Sequence, residues 1–217
     1  MEFEVSLKEL LSFELKSLLG RFLINNSPKL KQDKNYLNLG CGDNFVNGYI
    51  NADFFYRFKF WKKDKRGLQW QLDLRYPLNC RDEAFDGVYS EHTLEHLYPR
   101  QVKNLLHELY RVAKQGAVIR ISVPDISKYI SFYVGDDTNI DVDKFRKKYK
   151  SGCSAVRNIT QNYFHASTWD YEELKVILEN VGFRDIKKME CNESRDELLK
   201  IDIESRSWES LYIEAVK

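Results

Sequence analysis

The sequence predicts a single α/β domain built on a mostly parallel β-sheet with helices on both of its faces. Short apolar runs alternate with helix-period segments from residue 36 onward, which is the order that produces parallel sheets. The first apolar run ends in the turn Gly40-Cys41-Gly42, and the next two end at acidic residues. A chain of 217 residues is of a size that folds as one unit.

The individual elements follow from local patterns. Leucine and phenylalanine recur every three or four residues over 2–24, which predicts an amphipathic helix ended by an Asn-Asn-Ser-Pro run. A second helix begins at Pro99 and ends before Gly116, and a third begins after Asp170 and ends before Gly182. Strands are predicted over residues 36–39, 49–52, 68–72, 85–90, 117–123, 185–189 and 210–216.

The chain divides into an N-terminal helical extension, residues 1–30, and a main domain, residues 31–217. Within the main domain, residues 124–168 have weak periodicity, and connections of that length usually serve function. We therefore expect them to form a substrate-side insertion or lid. Half of the 30 aromatic residues fall in 54–61 and 129–171, and we expect these rings to line an acceptor site.

Composition excludes several classes of protein. The 34 Lys and Arg nearly balance the 33 Asp and Glu, so no DNA partner is expected and an RNA partner is disfavoured. No apolar run approaches the roughly 18 residues that a membrane span needs, and the acidic start gives no signal peptide. The four cysteines form no C-x-x-C pair, which favours a reduced, cytoplasmic chain. The sequence does not indicate an oligomeric state.

The glycine turn and its acidic partners indicate a nucleotide-like ligand. Bare backbone at the carboxyl end of a strand lets a ligand approach closely. Asp53 ends the next strand and could accept hydrogen bonds from ribose hydroxyls, and Asp73 ends the third strand and could accept one from an adenine amino group. Phe45 stands where a dinucleotide fingerprint has its third glycine, and no P-loop is present. The pattern therefore favours an adenosyl ligand without a pyrophosphate.

Together these segments resemble the class I S-adenosylmethionine-dependent methyltransferases. The resemblance covers about residues 35–125 and 165–217, and is carried by Leu37–Gly42, Gly48–Asp53, Asp73-Leu74, Phe85–Ser90, Leu94–Leu97 and Glu108–Ala113. It is strongest to a branch often found among surface-polysaccharide and lipopolysaccharide biosynthesis proteins. The resemblance implies a three-layer Rossmann-like fold, a seven-stranded mostly parallel sheet with the last strand antiparallel, and S-adenosyl-L-methionine as cofactor.

The resemblance also implies which residues bind the cofactor. The backbone of the glycine turn would line the methionine part, Asp53 would hold the ribose, and Asp73 with the Leu74 amide would read the adenine. Many relatives carry an acid where Asn38 stands, and Asn38 cannot neutralise the ligand's ammonium group. The implied cofactor-binding residues are Asn38, Gly40, Cys41, Gly42, Asp53, Asp73, Leu74 and Ser90.

Three residues are candidates for catalysis. His92, just beyond the fourth strand, would face the reactive methyl group and could take the proton of a hydroxyl acceptor, since histidine titrates near neutral pH. His165, at the end of the long connection, and Asp125, after the fifth strand, are the others. His92 could instead be a helix-start residue that only contacts cofactor or solvent.

The segment His92-x-x-Glu95-His96 also matches a zinc-protease pattern. It follows a strand directly instead of lying within a long helix, and a protease needs a third ligand on a further helix. We therefore disfavour a zinc hydrolase and assign no metal-binding residues.

The most specific prediction is an O-methyltransferase that acts on a sugar or glycolipid of a surface polysaccharide. Small-molecule N- or O-methylation is the main alternative, and RNA methylation or a non-catalytic cofactor-binding partner of another enzyme are weaker ones. The aromatic and basic residues of 54–66, or the N-terminal helix, could also make peripheral contact with a membrane.

Overall fold

The computed structural model describes residues 6–24, 27–55 and 68–217. Its centre is a seven-stranded sheet with the order β3-β2-β1-β4-β5-β7-β6. The strands are β1 Tyr36–Leu39, β2 Ile50–Asp53, β3 Trp70–Gln71, β4 Phe85–Glu91, β5 Ala113–Pro124, β6 Arg184–Met189 and β7 Ser210–Val216. Strand β7 runs antiparallel to both of its neighbours, and the other six share one direction. The predicted sheet is confirmed, although the third strand is shorter than its sequence pattern indicates.

The helices cover the sheet and extend its carboxyl edge. They are α1 Leu7–Leu23, α2 Pro99–Val112, α3 Ile126–Val134, α4 Val142–Lys148, α5 Gly152–Gln161 and α6 Tyr171–Val181, with a 3-10 turn at Leu94–His96. The connection 124–168 therefore contains three helices. Its weak periodicity has a physical reason, because each helix is short and buries only one or two residues.

The two faces of the sheet are packed differently. One face buries the apolar stripe of α2, including Val102, Leu105 and Leu109, together with residues of α6. On the opposite face Tyr36 and Tyr89 pack with Leu199, which lies in the connection between β6 and β7. Successive residues of a strand point to opposite faces, so β1 and β4 supply side chains to both layers.

The aromatic residues of the connection form a small core of their own. Tyr129, Phe145 and Tyr149 are buried, and the Tyr129 and Phe145 rings meet edge to face with centroids 5.1 Å apart. Trp208 packs on the same cluster, at 4.8 Å from Phe145. The expectation that these rings line an acceptor site is wrong for this cluster, since its rings are buried as the core on which the short helices pack.

Helix α1 turns its small residues toward the domain and its large apolar residues toward solvent. Ser17 and Gly20 are its buried residues, and the Phe55 ring lies directly over Gly20. The predicted leucine stripe does not pack: Leu7 is 72% exposed and Phe22 is 80% exposed. The exposed apolar residues of the helix are Leu7, Leu10, Leu11, Phe13, Leu15, Leu18, Leu19, Phe22 and Leu23. Among the helices described, none is long and apolar enough to cross a membrane.

Candidate active site

A pocket of about 500 Å³ lies at the carboxyl edge of the sheet, at the point where β1 and β4 end side by side. This is where open α/β sheets bind their ligands, and the volume falls in the range of small-molecule sites. The pocket is lined by Asn38, Gly40, Cys41, Gly42, Asp43, Asn44, Tyr89, Glu91, His92, Ile203 and Arg206. Four of the predicted cofactor residues and one predicted catalytic residue therefore share one cavity.

The glycine turn is fixed by backbone hydrogen bonds to β2. The amides of Gly40 and Cys41 both donate to the Ala52 carbonyl, at 2.8 and 3.1 Å. Gly40 has φ +67°, and a Cβ there would lie 2.8 Å from the Thr93 Cβ and closer still to its Oγ1 and Cγ2. A Cβ at Gly42 would meet no atom within 4 Å. The turn thus packs tightly against Thr93 on one side and leaves bare backbone open on the other.

Asn38 shapes the loop that follows the turn. Its Nδ2 donates to the Asn44 carbonyl at 2.8 Å and to Asn51 Oδ1 at 2.9 Å. Asn51 in turn accepts from the Val46 amide at 2.9 Å. The Asn38 side chain, which stands where many relatives have an acid, therefore connects β1 to β2 and to the following loop by hydrogen bonds. Its contact with the cofactor stays a prediction.

Asp53 lies beside the glycine turn, as the spacing predicts. Its Oδ2 accepts from the Gly42 amide at 2.6 Å, and its Oδ1 accepts from the Phe54 amide at 2.6 Å. Burial raises the pKa of Asp53, and the two amide hydrogen bonds oppose that change. Each carboxylate oxygen keeps a second lone pair, so the predicted ribose contacts are chemically compatible with this arrangement.

Asp73 is engaged by groups of the protein itself. Its carboxylate accepts from Ser17 Oγ at 2.6 Å and forms an ion pair with Arg75 at 2.7 Å. Burial acts to raise the pKa of Asp73, but the hydrogen bonds from Arg75 and Ser17 outweigh it and lower the pKa. Arg75 continues to Glu14 of α1. The residue predicted to read adenine therefore anchors the N-terminal helix, and Leu74 beside it packs against the main core.

His92 follows β4 and lines the pocket with its backbone at φ +49°. Its Nε2 lies 2.7 Å from Ser210 Oγ, and that hydroxyl donates to the Arg206 carbonyl at 2.8 Å. Because a hydroxyl has one proton to donate, Nε2 of His92 must be the donor to Ser210. Nδ1 then carries the lone pair, and it lies 3.5 Å from Glu95 Oε1. Burial, followed by the charge of Arg206, lowers the pKa of His92 to about 3, so the ring is neutral.

Glu95, His96 and His165 gather behind His92. Glu95 is 2% exposed, and burial raises its pKa to about 8. The rings of His96 and His165 meet edge to face with centroids 5.1 Å apart. Burial also lowers the pKa of His96, to about 4, and the pKa of His165. The structure thus brings His165 close to the residues that follow β4, where a catalytic residue would have to lie.

Asp125 and Ser90, which are also predicted site residues, are buried outside the pocket lining. Asp125 is 1% exposed and caps α3: its Oδ1 accepts from the Ser127 amide at 3.1 Å and from the Ser127 hydroxyl at 2.5 Å. Ser90 is fully buried, and its hydroxyl has no hydrogen-bond partner in the described part of the chain. Neither residue is among those that line the pocket. Their predicted roles stay predictions.

The zinc-protease pattern does not form the helix that it requires. His92 has a left-handed backbone conformation and precedes the short turn Leu94–His96, so His92 and His96 do not share a helical face. His92 bonds to Ser210, whereas Glu95 groups with His96 and His165. The geometry therefore argues against a protease-type centre of two histidines with a glutamate base.

Sequence reasoning missed Glu91 and Arg206 as pocket residues. Glu91 ends β4 next to His92, and its Oε1 accepts from the Ile203 amide at 3.2 Å. Arg206 lies in a 3-10 turn between β6 and β7, where no sequence pattern signals a site. Glu91, by contrast, could have been found, because it follows Ser90 at a strand end that the sequence places at the ligand edge.

Comparison with known proteins finds a partial family match and a common fold. Residues 37–121 match a family model described as a methyltransferase domain. A SAM-dependent methyltransferase structure from Archaeoglobus fulgidus is similar, with a TM-score of 0.53 and 23% sequence identity over 94% of each chain. A Thermotoga maritima structure described as a "SAM-dependent methyltransferase, possible histamine N-methyltransferase" has a TM-score of 0.55 and 16% identity, covering 97% of this chain and 93% of that one. No curated protein sequence matches the chain.

The domain match contains the glycine turn, Asp53 and Asp73, which help carry the sequence resemblance, and it also contains His92. At these identities the two solved structures show a common fold. The open backbone at Gly42 and the cavity beside it are compatible with a bound adenosyl cofactor. The chain thus contains a segment that matches a methyltransferase domain, within a fold that it shares with solved structures of SAM-dependent methyltransferases.

Proposed function

We propose that this enzyme methylates a hydroxyl oxygen of a sugar or glycolipid in surface-polysaccharide biosynthesis. We propose oxygen as the acceptor atom because buried acid–base side chains lie at the pocket. His92 lines the pocket, and Glu95 lies next to His92. A hydroxyl must lose its proton as it attacks, and a positioned base supplies roughly 100-fold or more in rate. The glycan assignment rests on the resemblance of the sequence to that branch of methyltransferases.

We propose that two charged residues of the pocket bind the two ends of the cofactor's amino acid. Asn38 is neutral, but Glu91 and Arg206 line the same cavity with opposite charges. We assign Glu91 to the ammonium group and Arg206 to the carboxylate, with the open backbone of Gly42 along the methionine chain. When bound, S-adenosylmethionine supplies a methyl group on a positively charged sulfur that leaves as a neutral thioether. The residues of this chain orient the acceptor toward that methyl and exclude water.

His92 is the proposed base. Its Nε2–H is held by Ser210, so the lone pair on Nδ1 accepts the acceptor's proton. Glu95 Oε1 lies 3.5 Å from Nδ1, and in its ionised form this carboxylate would stabilise the charge that the ring gains. His92→Ala should bind cofactor normally and lose roughly 100-fold or more in turnover. Unchanged turnover would assign the proton transfer to His165 or reduce the mechanism to positioning alone.

The acceptor can be identified by methyl transfer from cofactor labelled with ¹³C at the methyl carbon. We expect label in nucleotide sugars or glycolipids, and the carbon chemical shift separates an O-methyl from an N-methyl product. Transfer only to small amines or to small hydroxyl compounds would support the alternative of a small-molecule enzyme. Transfer to RNA that weakens steeply with added salt would support an RNA acceptor, because phosphate contacts are salt-dependent.

We propose that α1 contacts an anionic membrane surface that carries a lipid-linked acceptor. Large apolar side chains cover its outer face, and Phe13 of that helix stacks on Phe54 at 4.5 Å. Phe54 leads directly into residues 56–67, which lie outside the described residues and whose sequence is rich in Lys and Arg. Apolar area combined with nearby positive charge is the composition that binds anionic interfaces.

Sedimentation with lipid vesicles tests this contact. The protein should bind vesicles that contain phosphatidylglycerol more tightly than vesicles of phosphatidylcholine alone. Leu11→Glu with Phe22→Glu should abolish binding, and Ile130→Glu, which places the same charge at an exposed apolar residue of α3, should not. Equal vesicle binding by the wild type, the α1 double variant and Ile130→Glu would contradict the proposal. A dimer that the α1 substitutions dissociate would show that a second copy covers the helix.

A further inference from the structure

Two of the four histidines, His96 and His165, have no part in the proton transfer proposed for His92, yet they converge on the buried side chain of Glu95. We propose that Glu95, His96 and His165 form a binding site for a divalent transition-metal cation such as Zn²⁺. One ligand atom from each residue lies within 4.8 Å of the other two. Two imidazoles and one carboxylate are a ligand set that first-row transition metals take with positions left open.

The Glu95 carboxylate needs a partner. It is 2% exposed, and neither of its oxygens has a hydrogen-bond partner among the residues that the structure describes. The nearest ring nitrogen, Nδ1 of His92, lies 3.5 Å from Oε1, which is beyond ordinary hydrogen-bond length. A buried charge without hydrogen bonds is unfavourable unless a proton or a cation neutralises it. A cation held with the two histidines would satisfy both oxygens at once.

The hydrogen bond of His165 leaves the correct atom free. His165 Nδ1 lies 2.7 Å from the Ile159 carbonyl, and since a carbonyl can only accept, Nδ1 carries the proton and Nε2 carries the lone pair. At His96 the backbone of Tyr163 and Phe164 acts to raise the pKa of the ring against the effect of burial. Metal-binding histidines usually donate their other ring N–H to a carbonyl or carboxylate, which fixes both tautomer and orientation. The His165 ring is held in this way by a main-chain carbonyl.

The backbone holds the three residues together. The amides of Ala166 and Ser167 donate to the Glu95 carbonyl at 2.7 and 3.1 Å, which fixes the residues after His165 against the end of β4. Tyr163 and Phe164 both have left-handed backbone conformations, with φ +59° and +62°. Such a pair of non-glycine residues is strained, and strain of this kind concentrates at functional sites. The two left-handed residues turn the chain toward His96 just before His165.

The site is open to solvent at His96, so a cation can enter. Zinc bonds of about 2.0–2.2 Å place two ligand atoms about 3–3.5 Å apart, so the three side chains would close by about 1 Å on binding. The two nitrogen ligands favour Zn²⁺ or Co²⁺ over Mg²⁺ and Ca²⁺, which prefer oxygen. A bound cation with an open position would polarise an acceptor hydroxyl beside His92. That role rests on the proposed O-methylation, whereas cation binding itself does not.

The experiment titrates chelator-treated protein with Zn²⁺ by calorimetry and with Co²⁺ by visible absorption. We expect one equivalent to bind, with a Co²⁺ spectrum typical of nitrogen and oxygen ligands. Glu95→Gln and His165→Ala should each lower the affinity by about 100-fold or more, since even outer partners of a metal ligand are worth about 10- to 100-fold. His107→Ala removes the one histidine outside this region, on the exposed face of α2, and should leave binding unchanged.

Absence of stoichiometric binding, or equal affinity in the wild type and both ligand variants, would overturn the proposal. A sulfur-to-cobalt charge-transfer band would place the cation on a cysteine such as the exposed Cys153 and would also overturn it. If Glu95→Gln does not fold, His165→Ala and His96→Ala provide the same comparison. Methyl transfer is measured separately, so a bound cation with no effect on transfer would reject only the acceptor role.

Discussion

Replacing Gly40 by alanine tests whether the glycine turn is built for close packing. At φ +67° an alanine costs about 1–2 kcal/mol of backbone strain. Its methyl group would also lie 2.8 Å from the Thr93 Cβ, and overpacking of a buried contact costs about 1–3 kcal/mol more. We therefore expect Gly40→Ala to lower the free energy of unfolding by about 2–5 kcal/mol, the sum of those two costs.

Gly116→Ala is the matched control. Gly116 has φ +79°, but a Cβ there meets no atom within 4 Å, so the substitution should cost only the strain of about 1–2 kcal/mol. Urea denaturation followed by circular dichroism gives both values. Thr93→Ala in the Gly40→Ala background should recover part of the loss, because it removes the Oγ1 and Cγ2 atoms that the new methyl meets. Equal losses for Gly40→Ala and Gly116→Ala would refute the packing argument.

Three further predictions concern the acidic side chains. Asp53→Ala should weaken S-adenosylmethionine binding by about 1–3 kcal/mol in calorimetry, the cost of unpaired hydrogen-bonding groups, and an unchanged affinity would place the ribose elsewhere. Arg120→Met should lower the free energy of unfolding by about 3–5 kcal/mol because it strands two fully buried carboxylates, whereas Arg146→Met, at an exposed ion pair, should cost under about 1 kcal/mol. The pKa of Asp73 is lower in the folded protein than its unfolded value of 3.8, so its ionised carboxylate stabilises the fold above that pH, and this stabilisation is lost in acid. The loss of unfolding free energy caused by Ser17→Ala, measured by urea denaturation, should therefore shrink as the pH falls below 4. A loss that stays constant with pH would argue against that hydrogen bond.

The sheet was predictable because its strands carry local patterns that long-range packing reinforces. The turn at Gly40 and the acid at Asp53 could likewise be placed together, since parallel strands end at one edge. The position of Arg206 at the pocket could not be predicted, because contacts with residues distant in sequence hold the connection 190–209 in place. Arg120 binds Asp202 through a buried ion pair and also donates to the Glu190 and Glu193 carbonyls.

The N-terminal helix was predicted as a helix, but its sequence does not indicate which of its faces packs on the domain. Periodicity places leucines on one stripe, and a stripe normally faces the core. Here the docking is decided by Ser17 and Gly20, whose small size allows close approach to Asp73 and Phe55. Hydrophobicity alone cannot indicate which face a helix buries when its small residues make the specific contacts.

The hydrogen bond from Ser17 to Asp73 connects the helix surface to the cofactor side of the sheet. If Asp73 reads adenine as predicted, the bound nucleoside and Ser17 share one carboxylate. Thermodynamic reciprocity then requires that whatever displaces or steadies α1 alters cofactor affinity, and that the cofactor alters the helix's affinity for its surface by the same factor. The enzyme could in this way hold its methyl donor more tightly, or release it more readily, according to where it is docked.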